Sequence, residues 1–226
     1  MRLKKESGDL ISPSILVQML RYMNYLKIDT TEILKTAGFE PETMNRCDAG
    51  IPAAQYLYIE QQAEILAGDP YFGLHVGEFS EPGSLSVPGL IMMSSKTAGD
   101  ALVKFTNYSR ILKSIVKSNI LYNEDTVEVY FTIPEKKYNS SRHCIEAAAS
   151  GFITIMGSIT GKRLLPLEVN IEYNKPDNID EYRRVFGPNI IFDSGYSRIV
   201  FSKDFLDTPV ILSNPWLLNF FERYIK

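Results

Sequence analysis

The sequence predicts an α+β fold in which a helical N-terminal part packs on an antiparallel sheet with a long helix. Three observations carry this. Apolar residues recur at three- and four-residue intervals through the first half. The period then drops to two, Val127, Val129, Phe131 and Ile133 alternating against Glu128, Tyr130 and Thr132. A long helical stretch from about Ser141 to Thr160 follows that alternation. The helical part is expected to run to about residue 112 and the sheet-and-helix part from about 113 to 226, together forming one domain.

Each element has a local reason. Ser12 before Pro13 starts a helix carrying Leu16, Met19, Leu20, Met23 and Leu26 at helical spacing. Asp29 with Glu32 resembles a capping box, and Gly38 ends the short helix that holds Ile33, Leu34 and Ala37. A third helix starts at Pro52, places Tyr56, Ile59, Ala63 and Leu66 on one face, and stops at Gly68. Between Asp69 and Ser95, closely spaced glycines and prolines permit only short helical turns. Thr97 with Asp100 caps a helix whose buried side is Ala101, Leu102, Phe105, Tyr108 and Leu112.

Residues 114–122 and 126–133 form a hairpin across Asn123-Glu124-Asp125. The long helix ends at Gly161, and its Ala147-Ala148-Ala149-Ser150-Gly151 run lets another backbone approach closely. Leu167 to Tyr173 reads as a strand, Asn178 to Phe186 as a helix, and Arg198 to Phe201 as a strand paired with Ile190 to Phe192. Asn214-Pro215 opens a last helix to Lys226.

Composition narrows the function. The 226 residues are 45% hydrophobic with 12 Phe and 13 Tyr, enough for a core without staples. Twenty-four basic against 27 acidic residues give −3, the wrong sign for a surface that neutralises many phosphates, and this argues against autonomous DNA binding. The charged N-terminus is followed by no apolar run, so neither a signal peptide nor a membrane span is expected. Cys47 and Cys144 have no metal-ligand spacing, so no metal or other cofactor is expected, and a reducing cytoplasm is the expected compartment.

Catalytic candidates are weak. His143 and Cys144 are adjacent on a helix and point about 100° apart, poor geometry for a thiolate and its base. They read instead as a helix N-terminal residue and a small core residue, and Cys47 as part of a polar loop. His75 lies between Gly73 and Gly77 in no phosphate-binding pattern and reads as structural. Glu60 with Glu64, and Glu181 with Arg184, read as solvated helix faces. No catalytic residue is assigned. Tyr108, Tyr130, Phe152 and Met156 suit either a packed core or the wall of an apolar pocket between hairpin and long helix. On the last helix Leu217, Phe220, Phe221 and Tyr224, beside Trp216, form an aromatic stripe that must pack on the domain body or on a second subunit, shielding Trp216.

Several stretches together resemble the N-terminal, arabinose-binding-like regulatory domain of AraC-type transcriptional regulators. They are Phe72-Gly73-Leu74-His75-Val76-Gly77-Glu78, then Gly83 and Gly89, and Ser94 to Leu102 followed by Tyr108. Further on are Glu181-Tyr182-Arg183-Arg184-Val185-Phe186-Gly187, Ile191-Phe192, Phe205 to Pro209 and Asn214-Pro215-Trp216-Leu217. Ala98 stands where the family has Leu after the motif Thr, and the family's basic pair of helix-turn-helix units is missing from these 226 residues. The resemblance implies a sensor for a small-molecule effector; that the effector is mostly apolar and bound by Tyr108, Tyr130, Phe152 and Met156 is the expectation from the apolar and phenolic make-up of those residues. It also implies a homodimer with DNA contacted only through a C-terminal domain, and the aromatic stripe makes the 215–226 helix the expected coupling element. A freestanding ligand-binding module, and an enzyme using His143 or Cys144, are the alternatives.

Overall fold

The computed structural model describes residues 9–39, 50–108, 113–138 and 142–225. Cys47, Leu112 and Ser141 lie outside them. The described chain begins with β1 (Leu10–Ile11), α1 (Pro13–Tyr25) and α2 (Thr31–Thr36), then β2 (Ile51–Pro52) and α3 (Ala53–Ala67). β1 and β2 pair antiparallel, tying the start of α1 to that of α3. Pro13 sits in the first turn of α1, where its missing N–H has no partner to lose. Asp29 starts α2 through an Asx turn, its Oδ1 accepting from the Thr31 amide at 2.9 Å and the Thr31 hydroxyl at 2.6 Å, in place of the expected capping box. Gly68 closes α3 in the left-handed region.

Next come α4 (Phe72–Glu78), α5 (Ser86–Ser94) and α6 (Ala98–Tyr108), the last opened by the Thr97 hydroxyl, which accepts from the Asp100 amide. The hairpin β3 (Lys117–Tyr122) and β4 (Thr126–Thr132) follows, then α7 (Arg142–Thr160), β5 (Glu168–Asn170), α8 (Asp180–Phe186), β6 (Ile190–Ile191), β7 (Ser197–Ser202) and α9 (Pro215–Ile225). The sheet order is β3-β4-β7-β5-β6. The fold is α+β as expected from the sequence.

The pairing of β7 differs from the sequence expectation. β7 lies antiparallel between β4 and β5, and β6 pairs parallel with β5 instead of with β7. The β5-α8-β6 crossover is the reason: joining strands through a helix makes them parallel neighbours. β5 thereby has both edges satisfied, and only residues 168–170 of the expected 167–173 strand join the ladder.

Val127, Val129 and Phe131 face inward with Ile199 and Phe201, and α7 lies over them, its Phe152 ring 6.1 Å from Phe131 and 5.9 Å from Phe201. Glu128 and Tyr130 face outward, where Arg198 bonds Glu128 at 2.6 Å, Asn170 at 2.6 Å and Glu168 at 3.0 Å.

The small residues of α7 do what their sequence run implies, and α4 is the backbone that approaches. A Cβ on Gly73 would lie 2.5 Å from the His143 carbonyl oxygen. One on Gly77 would lie 2.6 Å from that of Ala147 and 2.7 Å from the Gly151 amide nitrogen, so only glycine fits at either point. Ser150 seals the crossing by donating to the Leu74 carbonyl at 2.8 Å.

α7 thus separates two apolar clusters. One, on the sheet side, contains Leu102, Val129, Phe152, Met156 and Ile199. The other, among the N-terminal helices, contains Leu16, Met23, Ile59, Phe72 and Cys144. Leu66, expected inside, is exposed, and Glu60 is buried in its stead, because Tyr56, Ile59, Glu60 and Ala63 share the face turned to α7.

Candidate functional site

A cavity of about 600 Å3 lies where the two clusters meet without merging. Its α7 wall is Ala147, Ala148, Gly151, Phe152 and Ile155, and the short side chains of the first three leave the space. Phe131 and Thr132 of β4 line the sheet side, Met92 of α5 and Phe105 of α6 another wall, and Ile15 and Gln18 of α1 face them. Residues 114–119, entering β3, complete the wall, with the exposed Lys117 and Asn119 at its outer edge. A sealed void of this size would cost on the order of 10 kcal/mol at ~24 cal/mol per Å3, about the whole stability of a typical domain. The space is therefore solvated or filled by a ligand. Its size is that of a small-molecule site.

Of the four residues the sequence nominated, only Phe152 lines this cavity. Met156 is fully buried in the sheet-side cluster, one α7 turn beyond Phe152. Tyr130 is on the outer face of the sheet, donating to Glu128 Oε2 at 2.7 Å with its ring 5.9 Å from Tyr196. Strand alternation requires this, since Val129 and Phe131 point inward. Tyr108 is half-buried at the end of α6 and does not contribute to the wall. The hairpin and long helix do bound the space, but Lys117, Gln18 and Ser80 on its wall were missed because they come from a strand edge, a helix and a loop that share no motif.

Two charge networks tie the helices together, the first part-exposed and the second buried at His143 and Glu146. His75 Nδ1 contacts Asp69 Oδ2 at 2.6 Å and its Nε2 contacts Glu181 on α8 at 3.0 Å, while the Tyr22 hydroxyl donates to Asp69 at 2.7 Å. Asp69, and then Glu181, raise the His75 imidazolium to about 9 against the opposing pull of burial. Burial alone would raise Asp69, yet the hydrogen bonds from His75 and Tyr22 hold its carboxyl below the usual range. Arg184 joins α8 to α4 with two 2.6 Å bonds to Glu78 and a third to Glu181. The pair read as a solvated face is indeed in contact with solvent, Arg184 at 47% of its side chain, and also clamps α8 to α4.

In the second network, burial would depress His143, but Glu146 at 2.8 Å and Glu64 at 2.9 Å keep it raised. The Cys144 thiol donates to buried Glu60 at 3.1 Å. Glu60 and Glu64 are therefore both engaged, one by the thiol and one by the imidazole; Glu60 lies on the buried stripe of α3, which was the signal in the sequence, whereas Glu64 keeps 40% of its side chain in solvent.

A stability prediction follows from His75. A histidine with a raised folded-state value stabilises fully below about 6.5, its unfolded value, and loses that stabilisation as pH rises through about 9. Depressed Asp69 and Glu181 act oppositely, contributing above the usual carboxylate range and losing their contribution in acid. Urea unfolding is expected to show a fall in stability from pH 6.5 to 9, and His75→Gln should flatten it, leaving the part due to His143. An unchanged slope in the variant would refute the assignment.

Among the described residues no group of three or more His, Cys, Asp or Glu side chains is placed to hold a metal ion, and no helix is long and apolar enough to cross a membrane.

The last helix carries its stripe outward. Asn214 caps α9 by accepting from the Trp216 and Leu217 amides, both at 3.1 Å, and Glu222 pairs with Lys104 of α6. Leu217 and Phe221 are half-buried on the side toward α5, whereas Trp216 is 71% exposed, Phe220 54% and Tyr224 71%. Within one chain the domain body therefore shields only part of the stripe, and not Trp216.

Residues 28–210 match the arabinose-binding domain of AraC transcription regulators, the N-terminal domain of those proteins. The ornithine utilization regulator of Pseudomonas aeruginosa is 20% identical over 191 residues, 84% of this chain and 56% of that protein. The crystal structure of transcriptional regulator CdpR from Pseudomonas aeruginosa has the same fold, with a TM-score of 0.65 at 16% identity over 96% of this chain and 62% of that one. The chain spans little more than half the length of the curated relative it matches. With more than three-quarters of its length inside the match, this chain belongs to the arabinose-binding N-terminal domain family of AraC transcription regulators.

Proposed function

We propose that the domain binds a small-molecule effector in the cavity between α7, β3-β4 and α1, and that occupancy biases a DNA-binding domain of the regulator. The cavity carries this reading: it sits between two cores whose relative packing a ligand can alter, and a ligand shifts a conformational equilibrium only by its differential affinity for the two states. Phe152 belongs to the site; Tyr108, Tyr130 and Met156 act at most by supporting its walls. The effector is mostly apolar. Apolar side chains, Met92, Phe105, Phe131, Phe152 and Ile155 among them, make up most of the wall, and Gln18, Ser80 and Thr132 add a few polar groups to it.

The domain is read as a non-enzymatic, cytoplasmic sensor. Both nitrogens of His143 are held by carboxylates and the Cys144 thiol by Glu60, which leaves no free base beside a free nucleophile. Mass spectrometry of the protein purified natively from its host should find a stoichiometric small molecule released on denaturation, and Ala148→Phe, which fills the cavity, should lose it. Folded wild-type protein that carries no such molecule, and whose melting no small-molecule panel shifts, would refute the reading.

We further propose that α9 mediates a homodimer and is the coupling element. At ~150–250 Å2 per large aromatic side chain, the exposed fractions of Trp216, Phe220 and Tyr224 amount to roughly 300–500 Å2, a large share of the ~800 Å2 each partner gives to a standard interface. The three residues repeat every fourth position along one side of the helix, and two such rows crossing antiparallel satisfy each other in an isologous contact. Trp216 emission is expected to shift to the blue as protein concentration rises, in step with the dimer fraction from sedimentation. Phe220→Ala plus Phe221→Ala should abolish both changes. A chain that remains monomeric at ~100 μM, well above the Kd of a stable interface, would refute the homodimer.

A further inference from the structure

Resting on the reading of the cavity as the effector site, we propose that its ligand is an uncharged amphiphile, with an apolar body against the sheet side and one neutral group, an amide or a hydroxyl, held by Gln18 and Ser80. The wall itself offers no charge to an ionised ligand. Among the described residues it contains no Asp, Glu, Arg or His. Its lysine, Lys117, pairs with Thr132 across the hairpin, which turns the side chain to the outer face of the sheet with that of Asn119, whereas Ser118 and Ile120 face inward with Phe131 and Val129. An ionised group brought into the cavity would give up its water with no counter-charge to replace it, so neutral ligands are favoured.

Most hydrogen-bonding groups on the wall are already engaged. The Thr106 hydroxyl donates to the Leu102 carbonyl, the Ser114 hydroxyl accepts from the Val116 amide, and the Cys144 thiol donates to Glu60, which lies off the wall. Gln18 and Ser80 differ. They line the cavity at 8% and 3% exposure, and neither side chain has a hydrogen-bond partner among the described residues.

These two side chains come from segments that run side by side. Arg21, one turn past Gln18 on α1, pairs at 2.5 Å with Glu81, the residue after Ser80. A Cβ at Gly151 would approach the Ser80 hydroxyl oxygen to 2.7 Å, so glycine keeps the space beside it clear. A side-chain amide and a hydroxyl each donate and accept, which a neutral amide or hydroxyl on the ligand matches; a carboxylate only accepts and an ammonium only donates. A buried hydroxyl left unpaired is destabilising, and a polar ligand atom in the cavity relieves this. Tyr56, also on the wall, brings no charge either: burial, and then Glu60, push its hydroxyl well above the ordinary phenol range.

Four probes on one fluorescent body test the proposal at neutral pH. Dansylamide carries a neutral sulfonamide that donates and accepts, dansylate the corresponding sulfonate, dansylethylenediamine an added ammonium, and N,N-dimethyl-1-naphthylamine is the body alone. Fluorescence titration of the whole chain is expected to give one cavity site that binds dansylamide about tenfold or more tighter than either charged probe. Gln18→Leu should weaken dansylamide about tenfold and Ser80→Ala about threefold, as for the loss of one hydrogen bond, without weakening the bare body. Ser80→Ala should not lower the melting temperature of the ligand-free protein, because it deletes a hydroxyl that has no partner. A charged probe that binds as tightly as dansylamide would overturn the inference of an uncharged ligand, and full dansylamide affinity in both variants would overturn the role of Gln18 and Ser80. Either result leaves the effector cavity standing. Failure of both dansylamide and the bare body to bind, or unchanged binding of both in a folded Ala148→Phe protein, would overturn the cavity reading as well.

Discussion

Gly77→Ala is expected to destabilise the domain by about 3 kcal/mol, at the upper end for overpacking, and to lower its melting temperature by about 6–12 °C. The added carbon would meet the Ala147 carbonyl oxygen at 2.6 Å and the Gly151 nitrogen at 2.7 Å, and the Ser150 hydroxyl closer still. Two of these three are helix backbone, which cannot rotate away as a side-chain tip can. α4 must therefore lift from α7, breaking the bond between Ser150 and the Leu74 carbonyl and opening contacts around Leu74 and Val76. Val76 and Gly151 both line the cavity, so ligand binding should weaken in parallel. Gly83→Ala is the control: nothing lies within 4 Å of its added carbon, and a change within about 0.5 kcal/mol is expected. Thermal denaturation followed by circular dichroism distinguishes the two, and equal melting temperatures for both variants would show that the α4-α7 crossing is not tight.

Glu146→Ala is expected to cost about 3–5 kcal/mol, the range for breaking a buried ion pair from one side. Glu146 is 2% exposed and accepts from Tyr182 and from Tyr173, the latter at 2.7 Å, while His143 lies 2.8 Å from its other oxygen. Removing the carboxylate takes the shared acceptor from the Tyr182 and Tyr173 phenols and leaves the buried His143 with Glu64 as its remaining carboxylate. Burial pushes the Glu146 carboxyl up, but His143, followed by Tyr182 and Tyr173, holds it below its usual range. Its contribution is therefore present at neutral pH and lost in acid as the depressed folded value is crossed. Glu146→Gln, which keeps the volume and one acceptor, should lose less than Glu146→Ala and melt with less acid dependence than the wild type. Chemical denaturation at pH 7 and at pH 4 tests both statements, and an alanine variant as stable as the wild type would mean that the network is not a net tie.

The elements were legible where one local rule acted alone. The alternation of 126–133 gave β4 its inward face, and Gly68 and Gly161 marked helix ends at which the chain takes up positive φ. The small-residue run of α7 announced a close neighbour, and tertiary packing selected α4 as that neighbour. Sites were less legible. Glu60 and Glu146 were written into buried helical stripes, yet whether a carboxylate there is solvated depends on a partner from elsewhere in the chain: Cys144 in one case, His143 and two tyrosines in the other. Tyr130 was nominated for a pocket that its own strand turns it away from.

Sequence periodicity, turn residues and helix caps determined the α+β class and most helix and strand positions, because each is set by contacts within a few residues, and the family was legible only through motif stretches that resemble it. The insertion of β5 between β7 and β6, the meeting of two cores across α7 and the resulting cavity were decided only in three dimensions. Register across a sheet and space between helices depend on which distant surfaces come together, and a wall made of Gln18, Ser80, Lys117 and Phe152 has no linear signature because its members meet only after folding.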